Sequence, residues 1–313
     1  MLVAVVAAVF LSDLRNLSNL SNLSQQEEGG KGEKRAILRI GLVADSHNEN
    51  ELLAKALRQV FDREAQTESA QGKGINFVIG LGDYTNLGTV EELKQAKEVF
   101  EKSKLEYYLT AGDRDGWESR GKGDEGPTNF IQIFGPSNQV VEREGVQFVL
   151  LDNSNLYKGI GEGGWNLLEK VSKVTKGSNV SKGSNKTFET SETSETFDTS
   201  KLIFVFAHKT PFHPESSHTM GEDSPEVAKQ AEELLAVLEG KGSQESQGSR
   251  GKKVDGFFSG DLHFFASYLS PAKIVKMTTV GAVASERNFG GPRFAILTVF
   301  NDYSWEVEDV EIR

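Results

Sequence analysis

The sequence predicts an α/β protein in which two β-sheets pack against each other and helices cover their outer faces. In the early half, from residue 36, strand-like apolar segments alternate with segments in which apolar residues recur at helical spacing. This alternation indicates βαβ units with a largely parallel sheet. From residue 254 onward, short strand-like segments follow one another without a helix, which is typical of an antiparallel meander. Two packed sheets with outer helices accommodate both halves, and no internal boundary divides them into separate domains.

Each predicted element rests on its apolar spacing and on the turn residues beside it. The first helix is indicated by apolar residues at helical spacing, namely Leu52, Leu53, Ala56, Leu57, Val60 and Phe61. The predicted helices are 48–66, 89–103, 128–134, 163–174 and 224–239. The predicted strands are 36–45, 75–82, 105–112, 138–143, 146–153 and 201–208, then about 254–260, 264–270, 273–280, 293–300 and 303–312.

The composition excludes some classes of protein and some kinds of metal site. The 46 acidic and 35 basic side chains give a formal charge of −11, which argues against non-specific binding to nucleic acid. An acidic balance aids solubility, and it also suits a protein that gathers carboxylates around cations. The chain has no cysteine, so disulfides, thiolate catalysis and cysteine-type zinc sites are excluded. Any metal must be held by Asp, His, Asn or Glu.

The N-terminal 36 residues are expected to lie outside the folded domain of residues 37–313. Residues 1–11 form an apolar run too short for a membrane span, and its length suits the apolar part of an export signal. Export or membrane association through residues 1–11 is therefore slightly favoured over a cytoplasmic location. Residues 12–36, with Asn-Leu-Ser three times at 16–24, resemble a disordered linker. The polar insertions 175–200 and 240–252 are expected to be mobile surface loops.

Five of the predicted strands end in a turn that carries Asp or His side chains. These turns are Asp45-Ser46-His47, Gly82-Asp83, Gly112-Asp113-Arg114-Asp115, His208, and Gly260-Asp261-Leu262-His263. Taken alone, Asp45 or Asp83 could simply cap the helix that follows. However, His47, His208 and His263 are three of only five histidines, and all three follow strands. Because ligands bind at the carboxyl ends of strands in open sheets, these turns predict one shared site.

In their order along the chain, these turns resemble the calcineurin-like metallophosphoesterase family. The family order is Asp-X-His, Gly-Asp, Gly-Asn-His-Asp, a lone His and Gly-His-X-His, and the resemblance covers roughly residues 37–300. It implies a four-layer αββα sandwich of two mixed β-sheets flanked by helices. It also implies a phosphoric ester hydrolase, a phosphatase or phosphodiesterase, with two metal ions about 3.5–4 Å apart that activate water for in-line attack on phosphorus.

The resemblance also implies a role for each residue of the site. Asp45, His47, Asp83 and His263 would hold the first metal ion, and Asp83 would bridge to the second. Asp113, His208 and Asp261 would complete the second, and Arg114, Asp115 and His208 would be catalytic. His213 and His218 lie in a loop after His208 that could line the substrate pocket, or that could be an exposed polar loop. In the closing glycine-rich segment, Arg287 or Arg293 could reach substrate phosphate, although a surface position is the plainer interpretation.

Three substitutions depart from the family pattern, all on the side of the second metal or the leaving group. Asp113 replaces Asn, Arg114 replaces His, and Asp261 replaces the first His of the last motif. The usual set carries two carboxylates, whereas this chain would present four. Such a set favours Mn or Fe, or Mg, over Zn. An arginine cannot protonate a leaving group, so esters with acidic leaving groups, such as aryl phosphates, are the expected substrates.

Three functions compete at this point. The leading hypothesis is a dinuclear hydrolase acting on a phosphorylated small molecule or a phosphoprotein. The rival is a pseudoenzyme or scaffold that keeps the fold and a partial metal site, which Arg114 and Asp261 favour. A nuclease is the third, and the acidic balance argues against a nucleic-acid partner.

Overall fold

Two mixed β-sheets lie face to face in the computed structural model of the chain, and helices cover both outer sides. The structure describes residues 33–68, 77–123, 126–172, 200–241, 253–286 and 288–313. The strands are β1 (Ala36–Val43), β2 (Phe77–Gly80), β3 (Tyr107–Leu109), β4 (Gln139–Arg143), β5 (Val146–Leu151), β6 (Leu202–Ala207), β7 (Gly256–Ser259), β8 (Ala266–Leu269), β9 (Lys276–Thr279), β10 (Arg293–Phe300) and β11 (Trp305–Glu311). The helices are α1 (Asn50–Glu68), α2 (Val90–Ser103), α3 (Trp117–Gly121), α4 (Thr128–Phe134), α5 (Glu162–Ser172) and α6 (Pro225–Leu238).

The first sheet has the strand order β11-β10-β1-β2-β3, and the second has the order β4-β5-β6-β7-β9-β8. In the first sheet β1, β2 and β3 are parallel, while β10 joins β1 in the antiparallel sense. In the second sheet β5, β6, β7 and β9 are parallel, and β4 and β8 form antiparallel edges. The parallel strands of each sheet therefore end at one edge, where a site can form.

Three apolar layers hold the four layers of secondary structure together. The layer between the sheets includes Phe77 of β2, Phe148 of β5 and Phe204 of β6, all fully buried. Leu57 of α1 and Phe100 of α2 belong to the layer over the first sheet. A third layer joins the second sheet to α5 and α6. The alternate residues of each central strand enter different layers, so the αββα architecture expected from the sequence is confirmed.

The tail is only partly the antiparallel meander that its pattern predicted. The β10–β11 hairpin is antiparallel, but β7 pairs in parallel with β9, and β8 lies outside β9 at the edge. All four residues of β7 are buried, whereas those of β8 alternate between partly buried and exposed. The more apolar strand thus lies inside the sheet, and four-residue segments carry too little pattern to predict that order.

One short helix was not predicted. α3 follows the Gly112–Asp115 turn and begins at Trp117. Five residues are too few for an apolar period to be visible in the sequence.

Several predictions concern residues outside the described parts of the chain. They are the apolar residues 1–11, the linker to residue 32, most of the insertions 175–200 and 240–252, and Arg287. Within the described residues, no helix is long and apolar enough to cross a membrane. Residues Ala36–Arg313 form one compact unit.

Candidate metal centre

The turns that follow β1, β2, β6 and β7 meet at one edge and are joined through their backbones. The amides of Asp45 and His47 donate to the carbonyls of Gly82 and Asp83, each at 3.0 Å. The amide of Asp261, after β7, donates to the Asp45 carboxylate at 3.1 Å and so joins the two sheets. The predicted strand-end residues are therefore brought together by hydrogen bonds between turns that are far apart in sequence.

Five of the predicted ligands have left-handed backbone conformations. Their φ angles are 53° for Asp45, 44° for His47, 54° for Asp83, 66° for Asp261 and 58° for His263. Positive φ is uncommon outside glycine, although Asp, Asn and His tolerate it better than other residues. Such strained conformations cluster at functional sites, where the surrounding fold imposes them.

Gly82 and Gly112 let two of these turns approach closely. A Cβ on Gly112 would overlap the backbone nitrogen and carboxylate of Asp83, and a Cβ on Gly82 would overlap the backbone of Gly112. The amide of Arg114 donates to Asp83 Oδ1 at 2.8 Å. The Asp83 carboxylate is thereby placed between the two halves of the site.

The first half, which we call subsite A, contains Asp45, His47 and His263. The Nε2 atoms of His47 and His263 face each other at 3.1 Å, and His263 Nε2 lies 3.8 Å from Asp45 Oδ1. Asp83 Oδ2 lies 4.0 Å from His47 Nε2. Burial and the neighbouring His263 lower the pKa of His47 to about 4. A neutral imidazole with a free lone pair is the form in which histidine binds a metal.

The second half, subsite B, contains Asp113, His208 and Asp261. His208 Nε2 lies 3.3 Å from Asp113 Oδ1, 3.6 Å from Asp261 Oδ1 and 3.5 Å from Asp83 Oδ1. The other ring nitrogen of His208 lies 2.8 Å from the Leu81 carbonyl, to which it donates in the Nδ1–H tautomer. Such a hydrogen bond fixes the tautomer and turns Nε2 toward a metal ion.

The donor set of both halves fits metal ions. Within each of three overlapping groups the ligand atoms lie within 4.8 Å of one another, and the groups are Asp45, His47 and His263; Asp45, Asp83 and His208; and Asp113, His208 and Asp261. Burial, followed by nearby carboxylates such as Asp113, raises the pKa of Asp83 well above its usual value. Buried carboxylates this close together are stabilised when cations are bound between them.

A buried lysine that the sequence analysis did not single out contacts subsite B. Lys209 Nζ lies 3.1 and 3.0 Å from the two oxygens of Asp261 and 3.4 Å from Glu222 Oε1. His218 Nε2 lies 3.3 Å from Asp261 Oδ1, and its Nδ1 lies 2.6 Å from Glu222 Oε2. The feature of the sequence that could have identified Lys209 is its position as a charged residue directly after His208 and the buried strand Leu202–Ala207.

The electrostatics of this group centre on Asp261. The hydrogen bond with Asp261 raises the pKa of His218 to about 9. Burial alone would raise the pKa of Asp261, but His218 and Lys209 lower it far below the usual value. His218 and Lys209 therefore favour the ionised form of Asp261.

A cavity of about 470 Å³ opens above both subsites, which is the size of a small-molecule site. Asp113, Arg114, His218 and Asp261 line it, and the half-exposed Trp117 stands at its wall. The Arg114 guanidinium lies 5.2 Å from the Trp117 ring centroid, and its Nε lies 3.8 Å from Asp113 Oδ2. Arg114 is thus held beside the subsites and faces the cavity.

A second cavity of about 500 Å³ shares His47, Arg114 and His263 with the first. Glu49 and Asn86 line the second cavity but not the first.

Two predicted residues lie elsewhere. We expected Asp115 to be catalytic, but its carboxylate is fully buried and accepts from Tyr84 N, Thr85 N, Thr85 Oγ1 and Gly112 N at 2.9 to 3.1 Å. Its oxygens hold the turns together, so the geometry favours a positioning role. His213 was a candidate for substrate contact together with His218. Its ring is buried against Phe264 and Tyr268 and does not line the cavity.

Arg293, the other arginine considered for substrate, donates to Asp309 at 2.8 Å. This contact belongs to the β10–β11 hairpin, so a surface role is the one the geometry supports.

The chain belongs to the calcineurin-like phosphoesterase family, whose description it matches over residues 38–264. Among solved structures it is similar to a dimetal phosphatase from Danio rerio, with 14% identity, a TM-score of 0.52 and coverage of 89% of this chain and 100% of that one. It is also similar to protein TT1561 of Thermus thermophilus, with 10% identity, a TM-score of 0.48 and coverage of 88% and 99%. The first of these likenesses concerns the fold alone. A comparison with curated proteins finds no match.

Proposed function

We propose that this protein hydrolyses phosphate esters at a dinuclear metal centre formed by subsites A and B. The observation that carries the proposal is the position of Asp83, whose two oxygens face His47 on one side and His208 on the other. A carboxylate in that position can bridge two ions. Membership in the phosphoesterase family supports the same conclusion.

Each residue of the site would have one main task. Asp45, His47 and His263 would hold one ion, Asp113, His208 and Asp261 the other, and Asp83 would contact both. The bound ions would lower the pKa of a water molecule and neutralise phosphate charge. The oxygen-rich donor set favours Mn or Fe, with Mg and Zn as weaker candidates.

Arg114 would bind phosphate oxygens from the cavity wall. Its guanidinium is a fixed cation that offers a planar set of donors suited to phosphate. It cannot supply a proton to the departing oxygen at neutral pH. Esters whose leaving group is stable as an anion, such as aryl phosphates of small molecules or of proteins, are therefore the proposed substrates.

The test combines metal content with hydrolysis of an aryl phosphate. The protein is stripped with a chelator, dialysed against Mn²⁺, and assayed by elemental analysis and with p-nitrophenyl phosphate. We expect two equivalents of Mn²⁺ and activity that disappears with the metal and returns with it. Two equivalents of metal without hydrolysis of any aryl or alkyl phosphate would contradict the proposal. One equivalent or none, without activity, would favour a scaffold that retains the fold.

A further inference from the structure

Subsite B contains a carboxylate where the family resemblance implies a neutral histidine. A buried carboxylate has a large desolvation cost unless a cation accompanies it. The Lys209 ammonium meets this need, because it contacts both oxygens of Asp261 at 3.0 and 3.1 Å and its side chain is only 4% exposed. Asp261 and Lys209 thus form a buried pair that carries no net charge.

The pair changes the charge balance of the whole centre. As metal ligands, the four carboxylates Asp45, Asp83, Asp113 and Asp261 would carry four negative charges. Lys209 beside Asp261 and Arg114 beside Asp113 return two positive charges. Leaving the histidines aside, these six side chains have a net charge of −2, which equals that of a two-carboxylate site without the two cations. The extra carboxylates are therefore compensated by residues of the chain and need no additional metal charge.

We propose that Lys209 is a resident counter-cation of subsite B, which stabilises Asp261 before metal binds and competes with the metal ion for it. The inference rests on the proposed metal centre and concerns the difference in metal affinity between its two subsites. In subsite A no lysine or arginine contacts the ligands among the described residues. A divalent ion in subsite B must approach an ammonium of like charge that already binds its ligand.

The decisive measurement is Mn²⁺ binding by calorimetric titration of the metal-free full chain. Wild-type protein should bind one ion tightly and a second about tenfold or more weakly, because only subsite B holds a competing cation. Asp113→Ala removes a ligand of subsite B altogether, so it should abolish the weaker step and assign that step to subsite B. Lys209→Met should strengthen that step by about tenfold, since like-charge repulsion is removed. Lys201→Met, at the exposed residue directly before β6, is the matched control and should bind as the wild type does.

A second variant covers the case in which Lys209→Met does not fold. Glu222 is a partly exposed second partner of Lys209, at 3.4 Å. Glu222→Gln leaves Asp261 as the only carboxylate in contact with Lys209, so the weaker Mn²⁺ step should weaken by a few-fold. Thermal unfolding adds a readout independent of catalysis. Metal-free Lys209→Met should melt lower than metal-free wild type, and Mn²⁺ should raise its melting temperature by more.

Two results would overturn the inference. One is a second Mn²⁺ step in Lys209→Met that is unchanged or weaker than in wild type. The other is a Glu222→Gln variant that binds the second ion more tightly. Both leave the proposed function intact if two ions bind and esters are hydrolysed. A protein that binds no Mn²⁺ at all would instead overturn the metal centre and this inference together.

Discussion

Subsites A and B are built from the same kinds of turn but balance their charge differently. Subsite A uses one carboxylate and two imidazoles whose side chains are 13% and 19% exposed. Subsite B uses two carboxylates and a fully buried imidazole, and cationic side chains lie against both carboxylates. The comparison shows that the number of carboxylate ligands does not by itself determine the charge of a metal site. The cationic side chains around the ligands contribute to that charge as well.

The largest effect is expected where the two subsites share a ligand. Asp83→Asn keeps the shape of the side chain and removes the charge that faces both His47 and His208. We expect both Mn²⁺ equivalents to fall, and hydrolysis of p-nitrophenyl phosphate to fall on the order of 10³-fold. Elemental analysis and steady-state rates measure the two effects.

The control for Asp83→Asn is Asp62→Asn on the exposed side of α1. It removes one carboxylate from the chain without touching the site, and should bind and react as wild type does. If Asp83→Asn lost metal from only one subsite, the two subsites would not share this ligand.

The next largest effect is expected for substitution of Arg114, which lies beside subsite B. It concerns the relative rates of hydrolysis of aryl and alkyl phosphates. Wild-type protein should hydrolyse an aryl phosphate far faster than an alkyl phosphate, since Arg114 cannot protonate a leaving oxygen. Arg114→His introduces a side chain that can, and should raise the alkyl rate relative to the aryl rate by about 10²-fold. The ratio of kcat/KM values for the two esters measures this. Equal wild-type rates for the two esters would refute the proposed leaving-group preference.

A smaller effect is expected on the free energy of unfolding when the hydrogen bonds of Tyr84, which lies next to Asp83, are removed. The buried Tyr84 hydroxyl accepts from Gly82 N at 3.0 Å and donates to the Thr110 carbonyl at 3.1 Å. Tyr84→Phe leaves both groups unpaired and should lower the free energy of unfolding by about 1–3 kcal/mol. Chemical denaturation measures the loss. Tyr108→Phe, at a more exposed tyrosine, is the control and should cost less.

The smallest effect concerns the cavity wall. Trp117→Ala removes the ring that lies 5.2 Å from the Arg114 guanidinium. An exposed contact of this kind contributes about 0.5–1 kcal/mol, so KM for an aryl phosphate should rise a few-fold while metal content stays the same. A loss of metal instead would show that Trp117 supports subsite B directly.

The sequence predicted the strand ends of the site well, because buried strands and the polar turns after them are local patterns. Asp45, Asp83, His208 and Asp261 lie together as expected. Lys209 was missed because nothing local shows that a lysine after a strand will face a carboxylate 52 residues further on. His213 and His218 share one loop, and only tertiary packing decides that the second faces the cavity. The order of β7, β8 and β9 depends on long-range pairing in the same way.

The positive φ angles of the ligand turns have a consequence for protein engineering. Alanine, the usual choice for deleting a side chain, is poorly suited to Asp45, Asp83 and Asp261. Left-handed backbone costs a residue with a Cβ roughly 1–2 kcal/mol, and alanine lacks the short polar side chain with which Asp and Asn offset that cost through local hydrogen bonds. Asparagine tolerates that conformation and keeps the size of the side chain. A metal-free form of this protein that retains its backbone is therefore best made with asparagine at these three positions. Alanine there would alter the loop and the chemistry at once.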